Sequence, residues 1–452
     1  MPPAFDYATA TAGGLAADLA AKRVSSVELC DAAIARIERL DGPINAVVVR
    51  DFERAMDAAK GADAALARGE RRPLLGVPMT VKESFNVAGL ATTWGSPAAK
   101  DWIAPTDAVA VTRLKAAGAV ILGKTNIAPF LSDWQSDNPV YGRTNHPLDA
   151  GRTPGGSSGG AAAALASGMV PLEFGSDIGG SIRVPASFCG VFGHKPSYGL
   201  VPGRGQAPPG VDGCDRVLDV FGPLARTAGD LALALDIVAG PLDEEAVGYR
   251  VDLPAPRHAR LHEFHVLIID EHPAAALDNE IRSALHGLAS RLEGAGAKVA
   301  RASDLVPDLA AAHGVYATLL FTAISRGGPA LADPISAVAW MDALDAQLSL
   351  RRRWAELFKT FDVVVAPSFG VVAFPHDDGD FNSRTHVIDG VETFYGAQVA
   401  WPGMATLGCL PATAMPIGKT RAGLPVGAQI MGPYLEDRTT IAFAGMIERA
   451  FG

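Results

Sequence analysis

Two serines set among glycines, Ser157 and Ser181, constrain this chain more than any other feature of its sequence. They lie in the segments GGSSGG (residues 155–160) and DIGGSIRVP (residues 177–185). Glycine adopts positive φ at little cost and lets other groups approach the backbone closely, so such loops leave N–H groups exposed around a hydroxyl. This pattern suits an oxyanion site beside a nucleophile. Because a serine alone is a poor nucleophile, the interpretation requires a base elsewhere in the chain.

The candidate base is Lys82, which ends the short apolar run GVPMTVKE (residues 76–83). If this run is extended, its period of two places Lys82 on the same face as Thr80. Most lysines lie at the surface. Burial in an apolar strand disfavours the charged amine and lowers its pKa, which makes a neutral base available near neutral pH. The apolar neighbours of Lys82 therefore favour a functional role over a surface position.

Helical and strand patterns alternate along the chain, which indicates an α/β fold. A strand is expected at residues 169–174, followed by a glycine-serine loop at residues 175–185, and a new strand begins near residue 265. Hydrophobic residues make up 48% of the chain and charged residues 19%, which excludes disorder as the main state. Since no boundary separates two independent units, we predict one domain over residues 1–452.

Charge and composition narrow the expected partners and location. The net charge is −10 and no basic run is present, so nucleic acid is not expected as a direct ligand. The apolar runs are strand-length, too short to span a membrane, and no secretory signal is evident, so we expect a cytoplasmic protein. The four cysteines form no metal-binding or disulfide spacing, and neither a metal nor a cofactor is expected.

Two motif matches lead to other interpretations. Residues 118–125 fit the P-loop pattern G-x-x-x-x-G-K-T, but the intervening residues form the predicted strand itself and not a phosphate-binding loop. Residues 155–159 fit the G-x-S-x-G nucleophile elbow of α/β-hydrolases, which would make Ser157 part of a Ser-His-Asp esterase. Residues 146–154 before it do not read as the strand that this elbow needs. The esterase stays as a minor alternative.

Three separated blocks in a fixed order resemble the amidase signature family. They are residues 76–83, residues 155–160 and residues 177–186, supported by GKTN at residues 123–126 and CGVFGHKP at residues 189–196. The resemblance covers most of residues 25–240. It implies a single large three-layer α/β domain with a central mixed, twisted sheet flanked by helices. It also implies a signature core at about residues 65–240 and variable substrate-pocket elements at about residues 300–402.

The resemblance implies a Ser–cis-Ser–Lys triad. Ser181 matches the nucleophile that forms the acyl-enzyme, Ser157 the bridging serine held by a cis peptide bond, and Lys82 the base. The oxyanion hole matches four consecutive backbone N–H groups, those of Ile178, Gly179, Gly180 and Ser181. Supporting roles fall to Ser158, Asp177 and Arg183, of which the last two are expected to brace the loop as an ion pair.

The implied activity is cleavage of a carbon-nitrogen amide bond. The expected substrate is a small carboxamide or anilide, converted to a carboxylic acid plus ammonia or an amine. An aromatic substrate wall is expected from Phe130, Trp134, Tyr316, Phe321 and Trp401. The main alternative is the catalytic A-type subunit of a glutamine-dependent tRNA amidotransferase, which needs partner chains; a non-catalytic homologue disagrees with the intact triad. If no partner chain is needed, a homodimer is the expected assembly.

Overall fold

A computed structural model describes residues 6–211, 213–326 and 333–452. Residues 1–5, 212 and 327–332 lie outside this description, although the predicted domain includes them and the predicted pocket elements include residues 327–332. The structure confirms the predicted fold class, an α/β domain with a large mixed sheet between helices.

Fifteen strands are present in the described ranges. They are β1 (Val47–Arg50), β2 (Pro78–Lys82), β3 (Val120–Thr125), β4 (Asp137–Asn138), β5 (Gly142–Arg143), β6 (Leu172–Asp177), β7 (Phe192–Lys195), β8 (Val220–Ala225), β9 (His265–Ile268), β10 (Lys298–Ala300), β11 (Val363–Pro367), β12 (Thr385–Ile388), β13 (Val391–Phe394), β14 (Ala412–Lys419) and β15 (Pro425–Met431). Eight form one sheet in the order β10-β9-β11-β15-β14-β7-β8-β6, and three form a second in the order β1-β3-β2. Two small hairpins, β4-β5 and β12-β13, complete the set.

Twelve α-helices surround the sheets within the same ranges. They are α1 (Ala12–Ala20), α2 (Ser26–Leu40), α3 (Phe52–Ala67), α4 (Val109–Ala116), α5 (Gly159–Ala166), α6 (Arg183–Cys189), α7 (Ala228–Val238), α8 (Asn279–Gly294), α9 (Leu309–Ile324), α10 (Ala337–Leu357), α11 (Ala400–Leu407) and α12 (Asp437–Phe451). Short 3₁₀ turns occur at Pro97–Ala99, Pro129–Leu131, Leu261–Glu263 and Tyr395–Val399. The apolar faces of the α-helices share a large core with the sheets, which gives the layered architecture.

The two sheets meet where β2 lies beside β6, and this junction positions the candidate site. All five residues of β2 and all six of β6 are buried, as expected of strands covered on both faces. Lys82 is the last residue of β2 and Asp177 the last residue of β6. Side chains from both strand ends therefore converge on the loops that carry Ser157 and Ser181.

Helix α5 approaches the smaller sheet closely because it is built from glycine, alanine and a single leucine. A Cβ atom at Gly160 would lie 2.3 Å from the amide nitrogen of Asn126, so a larger residue does not fit there. Ser157 and Ser158 immediately precede this helix. The close packing of α5 therefore fixes both serines against the junction of the sheets.

The structure corrects the predicted boundaries of the second serine loop. The strand starts later than expected and continues to Asp177, and α6 begins at Arg183, so only residues 178–182 form the loop. The Asp177 carboxylate accepts hydrogen bonds from the N–H groups of Ile182 at 3.0 Å and Arg183 at 3.3 Å, which ties the start of α6 to the end of β6. The P-loop interpretation is excluded as expected, because residues 120–125 form β3. In the ranges given above, no helix combines the length and the apolar character needed to cross a bilayer.

Candidate active site

Lys82 is fully buried and contacts one of the two glycine-framed serines. Its Nζ lies 2.8 Å from Oγ of Ser157 and 3.0 Å from Oγ of Ser176. Burial lowers the pKa of Lys82 to about 7, although the negative charges of Asp219 and Asp177 oppose the shift. A neutral amine beside a serine hydroxyl is therefore accessible near neutral pH, as a general base requires.

Sequence reasoning missed two residues around this lysine. Ser176 contacts the Lys82 amine directly. Nothing in the sequence pattern around Ser176 indicated this contact. Asp219 is buried, and its electrostatic interaction with Lys82 joins residues that are far apart in the chain. Burial raises the pKa of the Asp219 carboxyl, while Arg216 and Lys82 lower it. Both residues reach the site only through tertiary packing.

Ser157 follows a cis peptide bond, Gly156–Ser157, as the family resemblance implies. The same segment is tied to the second serine loop, because the N–H of Ser158 donates a hydrogen bond of 3.2 Å to the carbonyl oxygen of Ser181. The hydroxyl of Ser158 donates to the carbonyl oxygen of Ser176 at 3.4 Å. The two serine-bearing segments therefore form one unit with the end of β6.

The predicted ion pair between Asp177 and Arg183 is present and fully buried. Nη2 of Arg183 donates to Oδ1 of Asp177 at 2.8 Å, and Nε donates to Oδ2 at 3.0 Å. Burial alone would raise the pKa of Asp177, but the charge and hydrogen bonds of Arg183 outweigh it and bring the pKa to about 2. Arg183 also donates to the carbonyl oxygen of Pro402 and to Gln429, which connects the loop to the sheet. This network braces the loop that carries Ser181.

The backbone amides of this loop differ from the expected set of four. The N–H of Gly180 donates to Oδ1 of Asp177 at 3.0 Å, so the carboxylate already occupies it. For the N–H groups of Ile178, Gly179 and Ser181, no acceptor occurs among the residues that the structure describes. The expectation for Gly180 is therefore corrected, because glycine freedom alone does not show where an amide points. Three amides remain free to meet a ligand.

A pocket of about 460 Å³ opens over Ser181. Its walls are mainly apolar, and the described residues that line it are Leu131, Ser132, Asp133, Trp134, Ile178, Gly179, Ser181, Leu320, Phe321, Ile324, Phe381, Asn382, Phe394, Gly396 and Val399. The volume and apolar character are typical of a small-molecule site. Helix α9 forms one wall with residues on a single face. Ile324 lies three residues after Phe321, so helical periodicity could have predicted Ile324 in the lining once Phe321 was placed there.

The pocket lining includes Trp134 and Phe321 of the predicted aromatic wall, and the other three residues lie outside this lining. Phe130 lies in a 3₁₀ turn outside the lining. Tyr316 is buried behind the Ser181 loop, where its hydroxyl contacts the backbone. Trp401 is buried in α11, and its Nε1 donates to the carbonyl oxygen of Ala276. Trp401 therefore serves packing, the more common fate of large aromatics.

Asp133 is the one formally charged residue among the described residues that line the pocket. Its carboxylate is already paired: Nη1 of Arg384 donates to Oδ2 at 2.5 Å, and the hydroxyl of Tyr395 donates to Oδ1 at 2.6 Å. No sequence pattern indicated this cluster, which joins residues distant in the chain. The pairing leaves the pocket without an uncompensated charge from these residues.

The α/β fold thus places a buried lysine in contact with one serine, and a second serine lies at the floor of an apolar pocket. The amidase family model matches residues 28–326 and 316–441. The chain therefore belongs to the amidase signature family, and it is an enzyme of the class that acts on carbon-nitrogen amide bonds.

Individual relatives agree with this family. One is the A-type subunit of glutamyl-tRNA(Gln) amidotransferase from Anaeromyxobacter dehalogenans (strain 2CP-C), 35% identical over 490 residues and covering 96% of this chain and 95% of that protein. Among solved structures, an amidase is 28% identical with a TM-score of 0.82, covering 98% of this chain and 100% of that chain. A bacterial aryl acylamidase is 25% identical with a TM-score of 0.80, covering 98% and 96% of the two chains.

Proposed function

We propose that this protein hydrolyses the amide bond of a small carboxamide or anilide through an acyl-enzyme on Ser181. The observation that carries the proposal is the contact of 2.8 Å between Nζ of Lys82 and Oγ of Ser157 in a fully buried site. A buried amine of lowered pKa beside a hydroxyl is an activated base. The hydrogen bond between Ser158 and Ser181 keeps the second serine next to this pair.

In the proposed first half-reaction, neutral Lys82 accepts the proton of Ser157 while Ser157 accepts the proton of Ser181. The Oγ atom of Ser181 then bonds to the substrate carbonyl carbon. The free amides of Ile178, Gly179 and Ser181 hold the oxyanion that develops. The proton returns from Lys82 through Ser157 to the nitrogen as the carbon-nitrogen bond breaks, and ammonia or an amine leaves. Water then cleaves the acyl ester through the same relay.

The pocket supports a neutral, apolar acyl group as the substrate class. Its walls are leucine, isoleucine, valine and aromatic side chains, and the carboxylate of Asp133 is compensated by Arg384. An uncompensated charge on the acyl group would lose its hydration without gaining a partner from the described lining. Short aliphatic and aromatic amides fit these properties.

A second candidate function, the catalytic A-type chain of a glutamine-dependent tRNA amidotransferase, is supported by the relatives that carry that name over nearly the whole chain. This function would require partner chains and binding of free glutamine, whose α-carboxylate calls for a cation. Among the described lining residues none is cationic, and nearby Arg384 pairs with Asp133. The pocket therefore supports the stand-alone amidase. The homodimer and the cytoplasmic location stay predictions.

A panel of amides separates these two functions. We expect the purified chain to release ammonia or amine from benzamide, butyramide or acetanilide with kcat/KM at least about tenfold above that for glutamine, since each favourably buried apolar group adds binding energy. The readout is ammonia or aniline release. Phe321→Ala is the matched variant: it should raise KM for benzamide about tenfold or more and leave butyramide less affected. Preference for glutamine, with activity rising when partner chains are added, would instead establish the amidotransferase function.

The pH dependence of turnover tests the protonation state of Lys82. We expect kcat/KM for a neutral amide to rise with pH through about 7 and then level off, because only the neutral amine accepts a proton. The measurement is a pH–rate profile. Asp219→Asn removes a negative charge that favours protonated Lys82, so the rise should move to lower pH. A profile that falls with pH through this range, or that moves to higher pH in Asp219→Asn, contradicts the assignment of the base.

A further inference from the structure

Two consecutive carbonyl groups of the Ser181 loop are each held by an aromatic donor. The hydroxyl of Tyr316, on α9, donates to the carbonyl oxygen of Ile178 at 2.7 Å. Nε1 of Trp134 donates to the carbonyl oxygen of Gly179 at 2.9 Å. Because a carbonyl oxygen only accepts hydrogen bonds, the direction of both contacts is unambiguous.

Each carbonyl anchor also fixes an amide. The Ile178–Gly179 peptide unit is trans, so its C=O and its N–H point in opposite directions. Since Tyr316 holds the carbonyl on the side of α9, the N–H of Gly179 faces away from that helix. Gly179 lines the pocket, and its N–H has no acceptor in the described residues. In the next peptide unit, Trp134 holds the carbonyl and the N–H of Gly180 donates to Asp177.

The Tyr316 side chain is suited to a permanent donor role. It is 1% exposed, and burial raises the pKa of its phenol well above the ordinary value, so the hydroxyl keeps its proton across the working pH range. Gly403 leaves room for the ring, because a Cβ atom there would lie 2.6 Å from Cδ1 of Tyr316. The ring is thus held in place independently of its hydroxyl.

From this geometry we propose that Tyr316 is a positioning residue that directs the N–H of Gly179 at the oxyanion of the tetrahedral intermediate. The inference rests on the proposed function of Ser181. Tyr316 touches no reacting atom and acts through the peptide unit that it anchors. Helix α9 therefore has two roles, since Leu320, Phe321 and Ile324 of the same helix form one wall of the acyl pocket. The element that selects the acyl group also sets one oxyanion donor.

The test is Tyr316→Phe, which keeps the ring and removes the hydroxyl. An alkyl fluorophosphonate serves as probe: Oγ of Ser181 bonds to phosphorus, fluoride leaves, and the hydroxyl proton passes to Ser157 and Lys82. We expect the first-order labelling rate to fall about tenfold to a hundredfold, because loss of a whole oxyanion donor costs about a hundredfold to a thousandfold. The half-saturating probe concentration should stay within about twofold, since probe binding before reaction does not use the oxyanion amide.

Two control variants on the same helix make the test specific. Thr318→Ala removes an exposed hydroxyl that donates to the carbonyl oxygen of Gly314 within α9, and it should label at the wild-type rate. Phe321→Ala should raise the half-saturating concentration and leave the first-order rate nearly unchanged. A wild-type rate in folded Tyr316→Phe, or an equal loss in rate and affinity, overturns the inference.

The proposed function and the inference fail in different ways. If the wild-type chain is not labelled on Ser181, the proposed function is wrong; if it is labelled and folded Tyr316→Phe labels equally fast, only the inference is wrong. Should Tyr316→Phe not fold, fluorinated tyrosine at position 316 replaces it, because it retains the hydroxyl and changes its donor strength. A labelling rate independent of fluorination then overturns the inference.

Discussion

Ser181→Ala should lower kcat on every amide substrate by about 10⁴- to 10⁶-fold, the effect expected when the nucleophile of a cooperating catalytic unit is removed. Without Oγ of Ser181 no acyl-enzyme forms, and the remaining amides only bind the substrate carbonyl. Ser181 is 5% exposed at the floor of the pocket, so loss of one oxygen should leave the fold intact. The measurements are turnover with the best amide of the panel and thermal unfolding of both proteins.

Ser132→Ala is the matched control for this experiment. Ser132 also lines the pocket, but its hydroxyl donates to the carbonyl oxygen of Pro129 and does not contact Lys82 or Ser157. Its kcat should stay within a few-fold of wild type, with any effect confined to KM. A Ser181→Ala protein that retains wild-type turnover would remove the basis of the proposed function.

Lys82→Met should lower kcat on amides by about 10²- to 10⁴-fold, the range that a positioned general acid-base supplies. The amine accepts the serine proton and then returns it to the leaving nitrogen, so an amide needs it twice. An activated ester should lose less, because its alkoxide or phenoxide leaves with less need for protonation. The measurement compares kcat for an amide and an ester with the same acyl group.

Lys82→Arg separates a base from a positive charge. Arginine remains protonated at all relevant pH values, so it keeps the charge but cannot accept a proton. It should therefore be as inactive as Lys82→Met on amides. Substantial activity in Lys82→Arg, or equal losses on amide and ester in Lys82→Met, would show that proton transfer by Lys82 does not limit amide cleavage.

The fold class and the segments that carry Lys82, Ser157 and Ser181 were predictable because their signals are local. Glycine spacing around Ser157 and Ser181 marks loops, and the apolar run before Lys82 marks a buried strand. Local composition also excluded the P-loop match, because the central residues of that motif are apolar and form β3. Local backbone preferences supported these conclusions, and the family resemblance joined Lys82, Ser157 and Ser181 into one predicted triad.

The pocket was predicted poorly because its walls come from distant parts of the chain. Large aromatic side chains carry no sign of the surface they face, so Phe130 and Trp401 lie elsewhere while Trp134 and Phe321 line the pocket. Asp133 and Arg384 form an ion pair across the fold that neither sequence segment indicates. Such pairings depend on how the helices and hairpins pack together.

The oxyanion amides show a third limit on prediction from the sequence. Glycine in the sequence predicts a flexible backbone but not the acceptor that each N–H meets. Gly180 has a φ of +95° and donates to Asp177, while the carbonyl contact of Tyr316 directs the amide of Gly179. Side chains from other elements therefore decide which amides stay free.

The most direct measurement of the central claim is the location of the covalent intermediate. The enzyme is mixed with an activated ester of a small apolar acid, quenched rapidly in acid, digested and mapped by mass spectrometry. The account predicts one acyl group per chain on the peptide that contains Ser181, absent in Ser181→Ala. An acyl group on Ser157 or any other residue, or full turnover with no acylated Ser181 peptide detected, would contradict it.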